Sequence, residues 1–136
     1  LAHTHILAEM DVYLHIVPFL FPNLATLGLP PISPKLTQTW VDTDGKHVVI
    51  NVVAGMQKAR NFERDPRVAV AVSDPANPPL FTQIRGRVVE MTTDGGVDSI
   101  NELAHKYTGK PYAWYGGQEQ TRIIVTIEAD RISRVP

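Results

Sequence analysis

The apolar and polar positions along the chain read as a series of short strands with few helices. In "PKLTQTWVD" (34–42), Leu36, Gln38 and Trp40 share one face, and Thr37, Thr39 and Val41 share the other. That period of two predicts a strand. Asp44-Gly45 follows, a strong hairpin signal, and "HVVINVVA" (47–54) reads as the returning strand. "RVAVAVSD" (67–74), "LFTQIRGRVVEMT" (80–92) and "TRIIVTIEADRISRV" (121–135) predict three more strands. Gly86, in the middle of the second of these, predicts a bend or bulge. "FPNLATLG" (21–28) reads as a further short strand. "DPANPP" (74–79) is predicted to be a turn.

Helical spacing occurs in fewer places. Residues 56–64 fit a short helix that shares Ala59 and Phe62 on one face, leaves Gln57, Lys58, Arg60 and Asn61 mostly on the others, and stops at Asp65-Pro66. Val97, Ile100, Leu103, Ala104 and Tyr107 recur at helical spacing, with Thr93 or Asp94 as the expected cap. Residues 6–17 are expected to form a helix ending before Pro18. Residues 109–120 are expected to be a loop. About six strands with two or three short helices result. The helices do not alternate with every strand, so a mainly β antiparallel barrel fits better than parallel βαβ units.

The chain has 136 residues, enough for one domain with a real core. Its formal charge of −1 gives no reason to expect a nucleic-acid partner. Cysteine is absent, which excludes disulfides, thiolate metal sites and a Cys nucleophile. The longest apolar run, "VYLHIVPFLF" (12–21), is ten residues and contains His15 and Pro18. A membrane span needs about 20 apolar residues, so no membrane crossing is expected. Without a basic flank or a small-residue cleavage site, a signal peptide is not expected either, and a cytoplasmic location is. Residues 1–20 are expected to be an N-terminal segment packed on the barrel or in a subunit interface, with the main domain over 21–136.

One block departs from the near-neutral whole. "GMQKARNFERDPRVAVAV" (55–72) carries Lys58, Arg60, Arg64 and Arg67, and residues 57–67 hold a net charge of +2. At the start of a helix, unpaired backbone N–H groups and the macrodipole favour an anion, and Lys58 and Arg60 would add full charges there. The bland alternative is a solvated helix face. Thr37 and Thr39 are strand hydroxyls that are ordinary on a sheet surface and useful inside a groove. The loop "YAWYGG" (112–117), with Trp114 and Tyr115, is either a lid on the core or the wall of a flat-ring pocket supplied across a dimer interface. The histidines are scattered, with no metal-ligand spacing, so no metal site is expected. No Ser–His–Asp set, P-loop or GxGxxG is present, and no catalytic side chain is assigned.

"QKARN", then "RDPRVAVAVSDP", then "IRGRVVE" resemble the pyridoxamine 5′-phosphate oxidase-like split β-barrel superfamily. The order "NLATL", "TQTWVDTDG", "HVVINV", the Lys58 block, "RGRVVE", a helix and "RIIVTIEADRI" is similar as well, over roughly residues 21–133. The first twenty residues fall outside the resemblance. The turn "LGLPPISPK" departs from the polar turn usual in that superfamily.

The resemblance implies a six-stranded antiparallel Greek-key split barrel that dimerises, with cofactor sites at the dimer interface. The implied cofactor is FMN or coenzyme F420. "QKAxN" with "RDPRV" is similar to the deazaflavin branch, which puts F420 ahead of FMN. The implied cofactor-binding set is Gln57, Lys58, Arg60, Asn61, Thr37, Asn51 and Trp114, with Lys58 on the phosphate and Thr37 along the ring system. The implied activity is hydride transfer to a small organic substrate. A non-catalytic FMN or F420 carrier is the alternative. A haem-handling barrel, using His15, His47 or His105, is a third reading.

Overall fold

A computed structural model describes residues 11–16, 35–74 and 77–135, and gives only the backbone for 11–16, 35–38, 73–80 and Val135. Two helices and seven strand segments occupy the described residues. The strands are β1 (Asp11–Ile16), β2 (Lys35–Thr39), β3 (Asp42–Thr43), β4 (Val48–Val53), β5 (Arg67–Asp74), β6 (Asn77–Thr92) and β7 (Arg122–Val135). Helix α1 spans Gln57–Arg64 and α2 spans Gly96–Thr108. Of the six strands expected from the sequence, five fall on described residues; the split of the Lys35–Thr43 stretch at Trp40–Val41 makes them six segments, and β1 is the seventh.

All strands lie in one sheet, ordered β2-β1-β5-β6-β7-β4-β3, and every pairing is antiparallel. The two edges of that order, β2 and β3, are consecutive in the chain. Thr39 and Asp42 can stand at most about 10 Å apart. The sheet therefore curves until its edges meet, which is the closure a barrel requires.

Period-two burial builds the interior. Val48, Ile50 and Val52 of β4, Val68, Val70 and Val72 of β5, and Ile123, Val125 and Ile127 of β7 all enter one buried cluster. Burying a Val or Ile contributes about 1.5–3 kcal/mol, so this inward row is what fixes the strand register. Ala59 and Phe62 of α1 join the same cluster, as the helical spacing predicts. Ile100, Leu103 and Ala104 form the buried face of α2.

The hairpin is found where Asp44-Gly45 predicts it. Gly45 takes φ 92°, and Asp44 Oδ1 accepts the N–H groups of Lys46 and His47 at 2.9 and 2.7 Å. Gly86 also behaves as expected. The β6–β7 register shifts between Arg85 and Gly86. A Cβ at Gly86 would overlap the carbonyl oxygen of Glu128, so no other residue fits without moving β7.

Three local expectations fail. Residues 11–16 form strand β1, not a helix, paired with both β2 and β5. "DVYLHI" also carries a period-two pattern, Val12, Leu14 and Ile16 against Tyr13 and His15, and pairing on both sides favours it over helical propensity. Residues 6–10, and the expected strand at 21–28, lie outside the described residues. The turn expected at 74–79 is shorter, because Asn77 already pairs with Asp74. Helix α2 is capped by neither Thr93 nor Asp94. Gly95, at φ 76°, is its N-cap with no side-chain cap bond, while Asp94 N–H is held by Thr92 Oγ1 at 3.1 Å.

Candidate functional site

The β4–β7 register sets the geometry. Val53 lies opposite Arg122 and Asn51 opposite Ile124. Ala54 N–H then bonds the Thr121 carbonyl at 2.9 Å, and Gly55, at φ 79°, turns the chain into α1. The end of β4, the start of α1 and the start of β7 thus meet at one place.

Helix α1 begins there without a cap. Its N-cap, Met56, makes no side-chain cap bond, and its first turn holds no acidic residue. The first intrahelical bond is Arg60 N–H to the Met56 carbonyl, 3.1 Å. The amides of Gln57, Lys58 and Ala59 therefore lack helical acceptors, as any helix start does.

Lys58 is half-buried at this start, and among the described residues its ammonium has no hydrogen bond or ion pair. Burial, and then the charge of Arg122, hold its pKa below the ordinary lysine value of 10.5. Arg122 is only 8% exposed. Burial pulls its proton affinity down, and Tyr112 offsets part of that. The Arg122 guanidinium lies 5.2 Å from the Tyr112 ring centre, a cation–π contact. Lys58 and Arg122 thus bring two cations to a partly desolvated place, and among the described residues no carboxylate is paired to either. Buried charges are normally paired, so this arrangement points to an anionic ligand.

Asn51 interrupts an otherwise apolar strand, is 5% exposed, and fixes Arg122. Its Oδ1 accepts Arg122 Nε at 2.7 Å, and its Nδ2 donates to the Gly96 carbonyl at 2.9 Å. Both ends of the amide have protein partners, and they join β4, β7 and α2. Gly96 must be glycine for this joint, since a Cβ there would overlap the Arg122 carbonyl.

The expected set is only partly gathered. Asn61 is buried and not outward as expected. Its Oδ1 accepts Gln57 Nε2 at 2.8 Å and Arg64 Nη2 at 3.2 Å, bonds internal to α1. Arg60 is exposed on α1. Thr37 sits in β2 opposite Leu14, with its side chain outside the described residues. Arg64 and Arg67 belong to the helix exit: Arg67 forks onto Asp65, with Nη2–Oδ2 at 2.7 Å, and holds the Asp65 carboxyl below its ordinary range.

Trp114 is half-buried and takes φ 52°, the left-handed region that a non-glycine residue rarely enters. Its ring meets Tyr112 edge-on at 5.3 Å. Tyr112 also meets Trp40 at 6.3 Å and Tyr115 at 5.8 Å, and Trp40 stacks on Tyr107 at 5.6 Å. Tyr115 is 82% exposed. A continuous aromatic wall therefore runs from Trp40, just after β2, to the 112–117 loop, and Arg122 touches it through Tyr112.

Sequence reading missed Arg122 and the roles of Trp40, Tyr107 and Tyr112. A lone arginine heading "RIIV" is an ordinary strand start, and only its pairing with Asn51, 71 positions away, marks it. Among the described residues no group of three or more His, Asp or Glu is placed to hold a metal ion. His47 Nδ1 is bonded to Asp44 Oδ2 at 2.8 Å on the exposed hairpin, and His105 is exposed on α2. No helix among the described residues is long and apolar enough to cross a membrane.

No protein-family profile and no curated protein matches this chain. Solved structures do. An F420 reductase is similar with TM-score 0.76 and 22% identity, over 96% of this chain and 94% of that one. A Listeria innocua protein, provisionally described as a pyridoxamine 5′-phosphate oxidase, is similar with TM-score 0.59 and 17% identity, over 96% and 92%. The conserved hypothetical protein Rv2991 of Mycobacterium tuberculosis is similar with TM-score 0.63 and 22% identity, over 98% and 81%. The chain shares the fold of these proteins, and the resemblance read from "QKARN", "RDPRV" and "IRGRVVE" points to the same group.

Proposed function

We propose that this protein is an oxidoreductase that binds coenzyme F420 or FMN and passes a hydride between that cofactor and a small organic substrate, as a homodimer. The carrying observation is the half-buried, unpaired Lys58 beside Arg122 at an uncapped helix start. The fold likeness to an F420 reductase and to pyridoxamine 5′-phosphate oxidase-like proteins supports the redox reading.

The residues present fit such a cofactor. Both candidate cofactors join a flat ring system to a phosphate. Lys58, Arg122 and the first amides of α1 would hold the phosphate, with the exposed Arg60 and Gln57 near its outer side. The Tyr112–Trp114 corner and Trp40 supply aromatic faces for a planar ring. Asn51 acts through Arg122, whose Nε it fixes. Asn61 holds Gln57 and Arg64 and so stiffens α1. Thr37 is assigned to the ring edge on its place in β2.

The bound cofactor would supply the hydride chemistry. The chain's own contribution is to orient the ring, neutralise the phosphate and exclude water with the aromatic wall. No acid or base of the chain is required for hydride transfer, and none is assigned.

Titration of the purified chain with F420 and with FMN, followed by cofactor fluorescence, tests this. Binding of one of them in the micromolar range or tighter is expected. Binding of neither refutes the proposal. Steady turnover of a quinone, nitro or enone panel with reduced cofactor separates an enzyme from a carrier on the same fold.

A further inference from the structure

Strands β2 and β3 are the two edges of the sheet, and among the described residues no ladder pairs one with the other. The last β2 pair is Thr39 with Val12, and β3 begins with Asp42 opposite Val49. Trp40 and Val41 fall between those ladders, at the seam where the barrel closes. Val41 is fully buried, so its backbone N–H and carbonyl need partners there. The last turn of α2 supplies them. The Tyr107 hydroxyl accepts the Val41 N–H at 3.2 Å and donates to the Val41 carbonyl at 3.2 Å. The Lys106 ammonium donates to the same carbonyl at 2.9 Å and stands 3.8 Å from Asp42 Oδ1. The Tyr107 ring lies flat against Trp40, with centroids 5.6 Å apart and planes 5° apart. Trp40 in turn meets Tyr112 at 85°, and Asn101 Oδ1 of α2 accepts the Tyr112 N–H at 3.1 Å. Both rings of that corner thus hang on one helix.

We propose that Tyr107, assisted by Lys106, is a positioning residue: it closes the β2–β3 seam where strand pairing stops, and so sets the plane of Trp40. A strand side chain ordinarily takes its direction from the ladders on either side of it. Trp40 stands between two ladders, so its direction comes from the stack on Tyr107 and from the backbone bonds at Val41. The two parts of Tyr107 have separate tasks. The hydroxyl fixes the chain one residue beyond Trp40, and the ring fixes the plane of the indole. Lys106 adds a charged donor to the same carbonyl, which strengthens the hold. The consequence for ligand binding rests on the reading that a flat cofactor ring meets Trp40; the placing of Trp40 itself does not. Tyr107 acts on that ring through Trp40.

The chain has two tryptophans, so a Trp114→Phe background leaves Trp40 alone. Its emission maximum and its quenching by acrylamide then report the seam in the empty protein. Tyr107→Phe keeps the stacked ring and removes the hydroxyl, and should shift the emission to the red and raise the quenching. Tyr107→Leu removes the stack as well and should go further. Lys106→Met should give part of the change, and Lys106→Arg, which keeps a charged donor, should retain the parent values. Urea melts run alongside. A merely structural role would lower the urea midpoint of each variant and leave Trp40 emission and quenching unchanged in the folded baseline, and that outcome overturns the proposal. Titration with FMN and with F420, Trp114 intact, reads the ligand separately. For whichever of them binds the parent, Tyr107→Phe should raise Kd about two- to tenfold, the size of one neutral hydrogen bond. An unchanged Kd beside a shifted Trp40 emission overturns the link from seam to ligand. If neither binds the parent, the redox reading falls, and the emission of Trp40 alone decides the role of Tyr107.

Discussion

Replacing Lys58 with methionine should weaken ligand binding and strengthen the empty protein. Lys58 makes no hydrogen bond or ion pair among the described residues, so the substitution removes no folded-state partner. It removes a half-buried charge that burial and Arg122 both disfavour. Methionine keeps the unbranched stem that packs there. Relief of one unpaired, partly desolvated charge is worth on the order of 1 kcal/mol, or about 3–4 °C in Tm for a chain of this size. Binding should move the other way. Loss of a charge-assisted phosphate contact of about 1.5–3 kcal/mol weakens FMN roughly ten- to 150-fold. The pH dependence gives a third signature. The folded Lys58 holds its proton less tightly than the unfolded one. The unfolded state is therefore more protonated between the lowered pKa and 10.5, and stability rises with pH across that alkaline window. The variant should lack this rise. Urea melts of both proteins at several pH values between neutrality and 10, with flavin titrations at pH 7, measure all three effects. A variant that is less stable than the parent, or that keeps the alkaline rise, shows that Lys58 is satisfied in the empty protein and refutes the reasoning.

Other substitutions probe the frame around the site. Asn51→Leu leaves Arg122 Nε and the Gly96 carbonyl without their partners, and should cost about 2–3 kcal/mol in chemical denaturation. Gly86→Ala drives a Cβ into the Glu128 carbonyl and should cost about 2 kcal/mol or more, read as a lowered urea midpoint with unchanged slope. The Asp44 carboxyl is raised by burial but pulled down further by the His47 ring and the Lys46 and His47 amides, to about 2. Its contribution to the hairpin is thus complete above 3.8 and is lost as pH falls toward 2, so an acid melt of Asp44→Ala should be flatter than the parent's over that interval.

What was legible in the sequence was local. Runs of apolar and β-branched residues bounded by turns found β4, β5, β6 and β7, because each of these strands buries residues in a single core. Asp44-Gly45 and Gly86 were legible because each carries a backbone requirement of its own. The N-terminal strand was misread because "DVYLHI" is decided by its neighbours: β1 is paired on both sides, to β2 and β5, and neither partner is near it in sequence. The cap of α2 was misread for a related reason. Gly95 is selected by its left-handed φ of 76° and Gly96 by its close approach to the Arg122 carbonyl of β7, requirements that no helix rule encodes. Lys58 stood out through its block and Asn51 entered only through the family resemblance, but Arg122 had no local mark at all.

The missing residue is the one that ties the site to the fold. Arg122 faces Val53 across β4 and β7, and Val53 is two positions before the Gly55 turn that starts α1. Because side chains alternate along a strand, a one-residue slip in the β4–β7 pairing would turn Arg122 to the opposite face. The same slip would expose Val48, Ile50 and Val52, or Ile123, Val125 and Ile127, all of them buried. Core packing therefore holds Arg122 in register beside the start of α1. A site built this way has its cost distributed over the barrel, far from the residues that meet the ligand. Core substitutions such as Ile50→Ala, which should lower stability by about 2–5 kcal/mol, ought then to leave cofactor binding intact for as long as the chain stays folded. A loss of binding that precedes unfolding in such a variant would show that register is set by the site residues themselves and not by the apolar rows.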